Sequence, residues 1–207
     1  ALQKYEEGSG KNLSSYKFSI LHFSHFFELI FKYYVTQSHP LLIYKNPFSK
    51  KIEKESTIGL WEAVQFLRNE GRSIDVDFNN DLEWIKKLRN EIEHFKFKMD
   101  VIEVRRTLGR LIRATNEFND EHNLIDIGSH LIGKHLEIFN ELDDEYKSNL
   151  STAKVAAKAK SEYGSGCDCN YCGELSTASK TGDSIYCEFC GQSERLIVCC
   201  QCQEEYR

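Results

Sequence analysis

The sequence predicts an all-α helical bundle followed by a small cysteine-rich module, and three observations lead there. Apolar residues recur at three- and four-residue spacing through most of the first 160 positions. The chain has two prolines, Pro40 and Pro47, and both fall in one connector. All eight cysteines lie between Cys167 and Cys202. The predicted domains are residues 1–163 and 164–207, with the Gly-Ser-Gly run at 164–166 marking the boundary.

The polar start ALQKYEEGSGKN is left without structure. A first helix is predicted from about Leu13 to Gln37, with Ile20, Phe23, Phe26, Phe27, Ile30 and Tyr34 at helical spacing. It must stop before Pro40, because the residue preceding a proline is pushed out of helical geometry. A long connector follows. The second helix is expected to start at Ser56 or Thr57, to bury Leu60, Val64 and Leu67, and to end at Gly71. The third starts at Asn80 or Asp81, with Leu82, Ile85, Leu88, Ile92, Phe95 and Met99 as its core stripe. Asp100 and Glu103 form a capping-box pattern for a fourth helix carrying Val104, Leu108, Leu111 and Ile112. A fifth runs from about Ile127 to about Lys160, with a break allowed within it. Its Ala/Lys-rich end has high helix propensity and little to bury, so it is predicted as a stalk.

A net charge of −5 gives no global basic signature, so any nucleic-acid surface must be local. The N-terminal residues lack the apolar core of a secretory signal. The apolar stretch Phe18–Val35 is broken by His22, His25, Glu28 and Lys32, which fits a core helix rather than a membrane span. Cysteines confined to one end of the chain suit metal binding in a reducing compartment better than a disulfide framework. Cytoplasmic location and no membrane partner are the expectations.

The third helix carries LRNEIEHF at positions 88–95. At 100° per residue, Asn90 and His94 stack on the side opposite the apolar stripe, with Lys86 and Lys87 near them and Arg89 on the flank. The bland reading is an Arg89–Glu93 pair and an exposed His94. The chemical reading is an acid–base site beside a phosphate ligand. An imidazole moves protons near neutral pH. A guanidinium stays charged and offers a planar fork to phosphate oxygens.

Arg89, Asn90 and His94, with four residues between arginine and histidine, resemble the R-x(4–6)-H motif of the HEPN superfamily (higher eukaryotes and prokaryotes nucleotide-binding). Glu28 and Lys32 match the E-x3-K pattern of that family's first long helix, and the resemblance covers roughly residues 12–150. It implies a metal-independent endoribonuclease of the toxin or phage-defence kind. RNA would be cut at a composite site where the motif helices of a homodimer meet. The roles implied are catalytic for Arg89, Asn90 and His94, and substrate-binding or supporting for Glu28, Lys32 and Lys86. A regulatory or antitoxin protein is a further implied partner. Arg105, Arg106, Arg110 and Arg113 are candidate RNA-backbone contacts, set against a role balancing nearby acids. His22, His25 and Glu28 form a weak candidate metal triplet at helical spacing.

Cys169-x2-Cys172 and Cys187-x2-Cys190, fourteen residues apart, have zinc-ribbon spacing. Gly173 and Gly191 follow the two pairs and permit the tight turn that aims N–H groups at thiolates. One structural zinc is expected there. Cys167, Cys199, Cys200 and Cys202 make a possible second set; plain thiols, or pairing of Cys187/Cys190 with Cys199/Cys202, stay open. Lys180, Arg195, Tyr171, Tyr186 and Phe189 would serve a nucleic-acid surface on this module. The alternative to the nuclease is a non-catalytic HEPN-like scaffold whose zinc ribbon binds nucleic acid or a protein.

Overall fold

The computed structural model describes residues 1–9, 12–72, 74, 76–94, 99–162, 164–198 and 205–206. Among them are six α-helices: α1 Leu2–Ser9, α2 Leu13–Ser38, α3 Leu60–Asn69, α4 Val76–Glu93, α5 Val101–His122 and α6 Lys134–Lys160. A small antiparallel sheet follows, formed by β1 Ala178–Thr181, β2 Ser184–Cys187 and β3 Ser193–Arg195 in that order. A two-stranded ladder pairs β4 Ile197–Val198 with β5 Glu205–Tyr206. The chain divides into two compact units: residues 1–75 with 85–143, and residues 76–84 with 144–207.

The first unit is built on α2. Tyr16, Ile20, Phe23, Phe27, Ile30, Phe31 and Val35 are buried along it, a continuous stripe at three- and four-residue steps. The ring of Phe31 stacks on Phe118 of α5 with centroids 3.9 Å apart. Phe139 of α6 stacks on Phe23. Leu60, Ala63, Val64 and Leu67 of α3 complete this core with Ile85, Leu88 and Ile92 of α4 and Val104, Leu108, Leu111 and Ile112 of α5. The α5 capping box forms as expected: Asp100 Oδ1 accepts from the Glu103 N–H at 2.8 Å, and Glu103 Oε2 from the Asp100 N–H at 3.0 Å.

Four expectations about the helices need correction. The N-terminal residues form α1, which buries Leu2 and Tyr5. Eight residues are too few for a stable isolated helix. Docking on α2 supplies the stability, and the approach is close: a Cβ at Gly8 would lie 2.5 Å from the Tyr16 ring. The cap of α3 is Gly59, whose N–H donates to Glu62 Oε2 at 2.6 Å. Thr57 instead pairs with Tyr44 in an isolated β-bridge. Helix α4 begins at Val76, four residues before Asn80. Ile127 leads into a 3-10 turn at Gly128–His130, and the last helix starts at Lys134.

In the second unit the predicted stalk buries a face. Tyr146 and Ala153 of α6 join Cys169, Ala178, Ile185, Cys187, Phe189 and Leu196 in one apolar cluster, with Leu150 packed against it. Ala157 is fully buried. The small side chains that gave the segment its helix propensity let the module approach the helix backbone.

Candidate functional site

Two groups of side chains carry chemistry. The first lies in the helical unit, where α4 presents Arg89 to α2. Arg89 Nη1 donates to Glu28 Oε2 at 2.6 Å, and the other oxygen of Glu28 accepts from Lys32 Nζ at 2.8 Å. Lys32 Nζ reaches on to Thr57 Oγ1 at 3.0 Å. One carboxylate thus holds two cations drawn from two helices, and a threonine from the connector anchors the second. Burial pushes the Glu28 carboxyl pKa up, but hydrogen bonds and charges from Lys32 and Arg89 outweigh it, and the net direction is down. Glu28 is the ionised centre of this network.

Of the other residues singled out on α4, Asn90 is exposed, and its carbonyl accepts from the His94 N–H at 3.1 Å. His94 follows the last helical residue, continues the helical hydrogen-bond pattern and is exposed. Lys86 places its ammonium 5.1 Å from the centroid of the Trp61 ring. So Glu28, Lys32 and Arg89 come together, Asn90 and His94 stand open on the same helix, and Lys86 is engaged by Trp61. Met99 is half-buried just before α5. Phe95, which completed the predicted stripe, lies outside the described residues.

The arginines of α5 are not an open basic surface. Arg110 and Arg113 are buried, Arg113 pairing with Glu117 at 2.9 Å. Arg105 donates to Tyr5 Oη at 2.7 Å and to Glu141 at 2.5 Å. These side chains serve the bundle. His22 and His25 are exposed while Glu28 faces Lys32 and Arg89, and among the described residues the three form no donor group for a metal. A cavity of about 430 Å³ in the same unit is lined mainly by Leu2, His22, Phe23, Phe26, Ile127 and Phe139. None of the predicted catalytic side chains lines it.

The second group is the cysteine cluster. Cys169, Cys172, Cys187 and Cys190 bring their sulfurs within 4.8 Å of one another. The Cys169 and Cys190 sulfurs are 3.7 Å apart, and those of Cys172 and Cys187 3.9 Å. Each CxxC folds the same way: the second cysteine's N–H points at the first one's sulfur, at 3.5 Å for Cys172 and 3.4 Å for Cys190. The following glycine closes the turn onto the first cysteine's carbonyl, with φ of 75° at Gly173 and 77° at Gly191. Those left-handed values are what a residue with a Cβ resists.

The thiols perturb one another. Hydrogen bonding from Cys172 brings Cys169 down to about 7, and Cys187 is lowered by its sulfur neighbours, Cys169 first. Cys172 and Cys190 are raised, each chiefly by hydrogen bonding with Cys169. Ionising one sulfur makes it harder to ionise the next, and a divalent cation among them removes that conflict. The four residues could therefore hold one metal ion, Cys169 and Cys187 being the buried members of the set.

Cys167 stands apart: it pairs with Ala178 in a β-bridge, and its thiol donates to the Ala178 carbonyl at 3.4 Å. Cys199, Cys200 and Cys202 lie outside the described residues, and with them the possible second set. Phe189 is part of the buried cluster, so it offers no ring for a base to stack on, whereas Tyr171 and Tyr186 are exposed. Two features escaped the sequence reading. Tyr146 of α6 donates its hydroxyl to the buried Glu174 carboxylate, just after the first knuckle. Thr57 and Trp61, flanking the start of α3, meet Lys32 and Lys86. No helix among the described residues is long and apolar enough to cross a membrane.

Comparison with protein-family models, with curated proteins and with solved structures finds no match.

Proposed function

We propose that the chain is a HEPN-like, metal-independent endoribonuclease that acts as a homodimer and carries a structural zinc ribbon. The observation that supports it is the Glu28–Arg89 ion pair. It joins the two sequence features on which the family resemblance rests, the E-x3-K of the first long helix and the arginine of R-x4-H, although they lie 61 positions apart.

RNA cleavage by its own 2′-hydroxyl needs a proton removed, a proton delivered and a crowded phosphorane stabilised. The 2′-oxygen forms a bond to phosphorus, the bond to the 5′-oxygen breaks, and the leaving oxygen takes a proton. The products are a 2′,3′-cyclic phosphate and a 5′-hydroxyl. His94, exposed at the end of α4, takes the proton role. Arg89 supplies charge to the phosphorane: Glu28 fixes one edge of the guanidinium, and the side chain keeps 35% exposure for the phosphate. Asn90, exposed between them, orients the phosphate by its amide. In the homodimer the α4 helices of two protomers face one another, so that one histidine removes a proton and the partner subunit's His94 delivers the other.

The zinc ribbon builds the fold of the second unit. Four cysteine ligands make a closed site that suits structural zinc.

Product ends decide this reading. A mixed RNA pool is incubated with the protein in excess EDTA, with protein-bound zinc counted before and after. Cyclic phosphate 3′ ends are expected, along with a protein that runs as a dimer. Absence of cutting in a folded, zinc-loaded protein favours the scaffold, the reading that the ion-paired state of Arg89 also suits.

A further inference from the structure

We propose that the indole of Trp61 is a stacking site for an unpaired nucleobase at the end of the α4 polar stripe that leads to His94. The choice of RNA as ligand rests on the nuclease reading; the stacking itself does not depend on cleavage. Trp61 is half-buried in the first turn of α3, and the ammonium of the exposed Lys86 lies 5.1 Å from its ring centroid. Lys86, Asn90 and His94 follow at four-residue steps, all exposed, so the stripe from Lys86 to His94 runs two helical turns, about 12 Å.

The connector just ahead of Trp61 touches the ion network. Thr57, four residues before it, accepts from Lys32, and Lys32 shares Glu28 with Arg89. The cation at the indole itself is the Lys86 ammonium.

A partly exposed ring with a cation over it is held more weakly than a ring stacked on a base. A base arriving on the indole displaces the ammonium, and the flexible lysine stem lets it swing to the phosphate of the same nucleotide. The rest of the strand then runs along Asn90 and Arg89 toward His94. A paired base has both faces covered in its own stack, so the site selects single strands.

The test uses the full chain carrying His94→Ala, so that RNA survives the measurement. A fluorescein-labelled single-stranded RNA of mixed sequence and its blunt duplex are titrated by anisotropy at fixed salt. Trp61→Ala should weaken single-strand binding at least about fivefold, and Trp61→Phe should retain most of it. The second readout leaves Trp61 in place. With Trp84→Phe, Trp61 is the sole indole, since the chain has two tryptophans, and saturating RNA should quench its emission.

Unchanged affinity in a folded Trp61→Ala protein, unchanged emission in the Trp84→Phe protein, equal binding of duplex, or no binding at all would each overturn the proposal. If Trp61 binds RNA and the wild type never cuts, stacking stands and the nuclease reading falls. If the wild type cuts and Trp61→Ala binds as well as before, stacking falls alone.

Discussion

Glu28 of α2 and Arg89 of α4 meet at 2.6 Å, and the same carboxylate holds Lys32 at 2.8 Å. The pair is only partly exposed, so its worth lies between that of surface and buried ion pairs. Glu28→Gln should cost about 1–2 kcal/mol near neutral pH. Because the folded carboxyl sits below its ordinary value, this stability is fully present above the unfolded pKa of about 4.3. It is lost as the pH falls through the lower folded value. Urea unfolding of wild type and Glu28→Gln at pH 7 and pH 3 should therefore show a gap at the first pH that narrows at the second.

The zinc proposed for the cysteine group should be released when one of its four thiols is removed. Cys187→Ser is expected to lose one equivalent of zinc per chain relative to wild type and to open the second unit to proteolysis. Cys167→Ser should leave the metal content unchanged, since its thiol bonds to Ala178 outside the group. Elemental analysis with limited proteolysis reads both.

Tyr146→Phe removes the donor to a buried carboxylate, Glu174, without changing the volume of the ring. A hydrogen bond to a charged acceptor is worth about 1.5–3 kcal/mol. Thermal unfolding should fall accordingly, while zinc content holds at neutral pH.

Gly8→Ala tests why α1 exists. The added methyl would meet the Tyr16 ring at 2.5 Å, so α1 must shift or undock despite the better helix propensity of alanine. A loss of about 1–3 kcal/mol is expected, against a small gain if α1 stood free. Hydrogen exchange over Leu2–Ser9 distinguishes the two.

Most helices were legible because their apolar residues repeat at helical spacing; α2 begins at Leu13, where that spacing begins, and α5 follows the Asp100 cap. Helix α1 was not, since its stability comes from docking on Tyr16 rather than from its own eight residues. The start of α3 was misplaced because serine and threonine are common caps, yet Thr57 is drawn into a bridge with Tyr44 and Gly59 caps instead. The four-cysteine group followed from local spacing and glycine placement. The alternative of balancing nearby acids fits the Arg113–Glu117 and Arg105–Glu141 pairs, but the burial of Arg110 and Arg113 is something sequence charge does not reveal. The meeting of Glu28 with Arg89 lay beyond spacing arguments, as it joins different helices.

The most direct measurement is the single-turnover cleavage rate of wild type, Arg89→Ala and His94→Ala in excess EDTA, with dimerisation and bound zinc checked for each. The expected result is cleavage by wild type and a drop of about 10²–10⁴-fold for His94→Ala, with Arg89→Ala similarly impaired. Equal rates in all three proteins, or no cleavage by a folded wild-type dimer, would contradict the account.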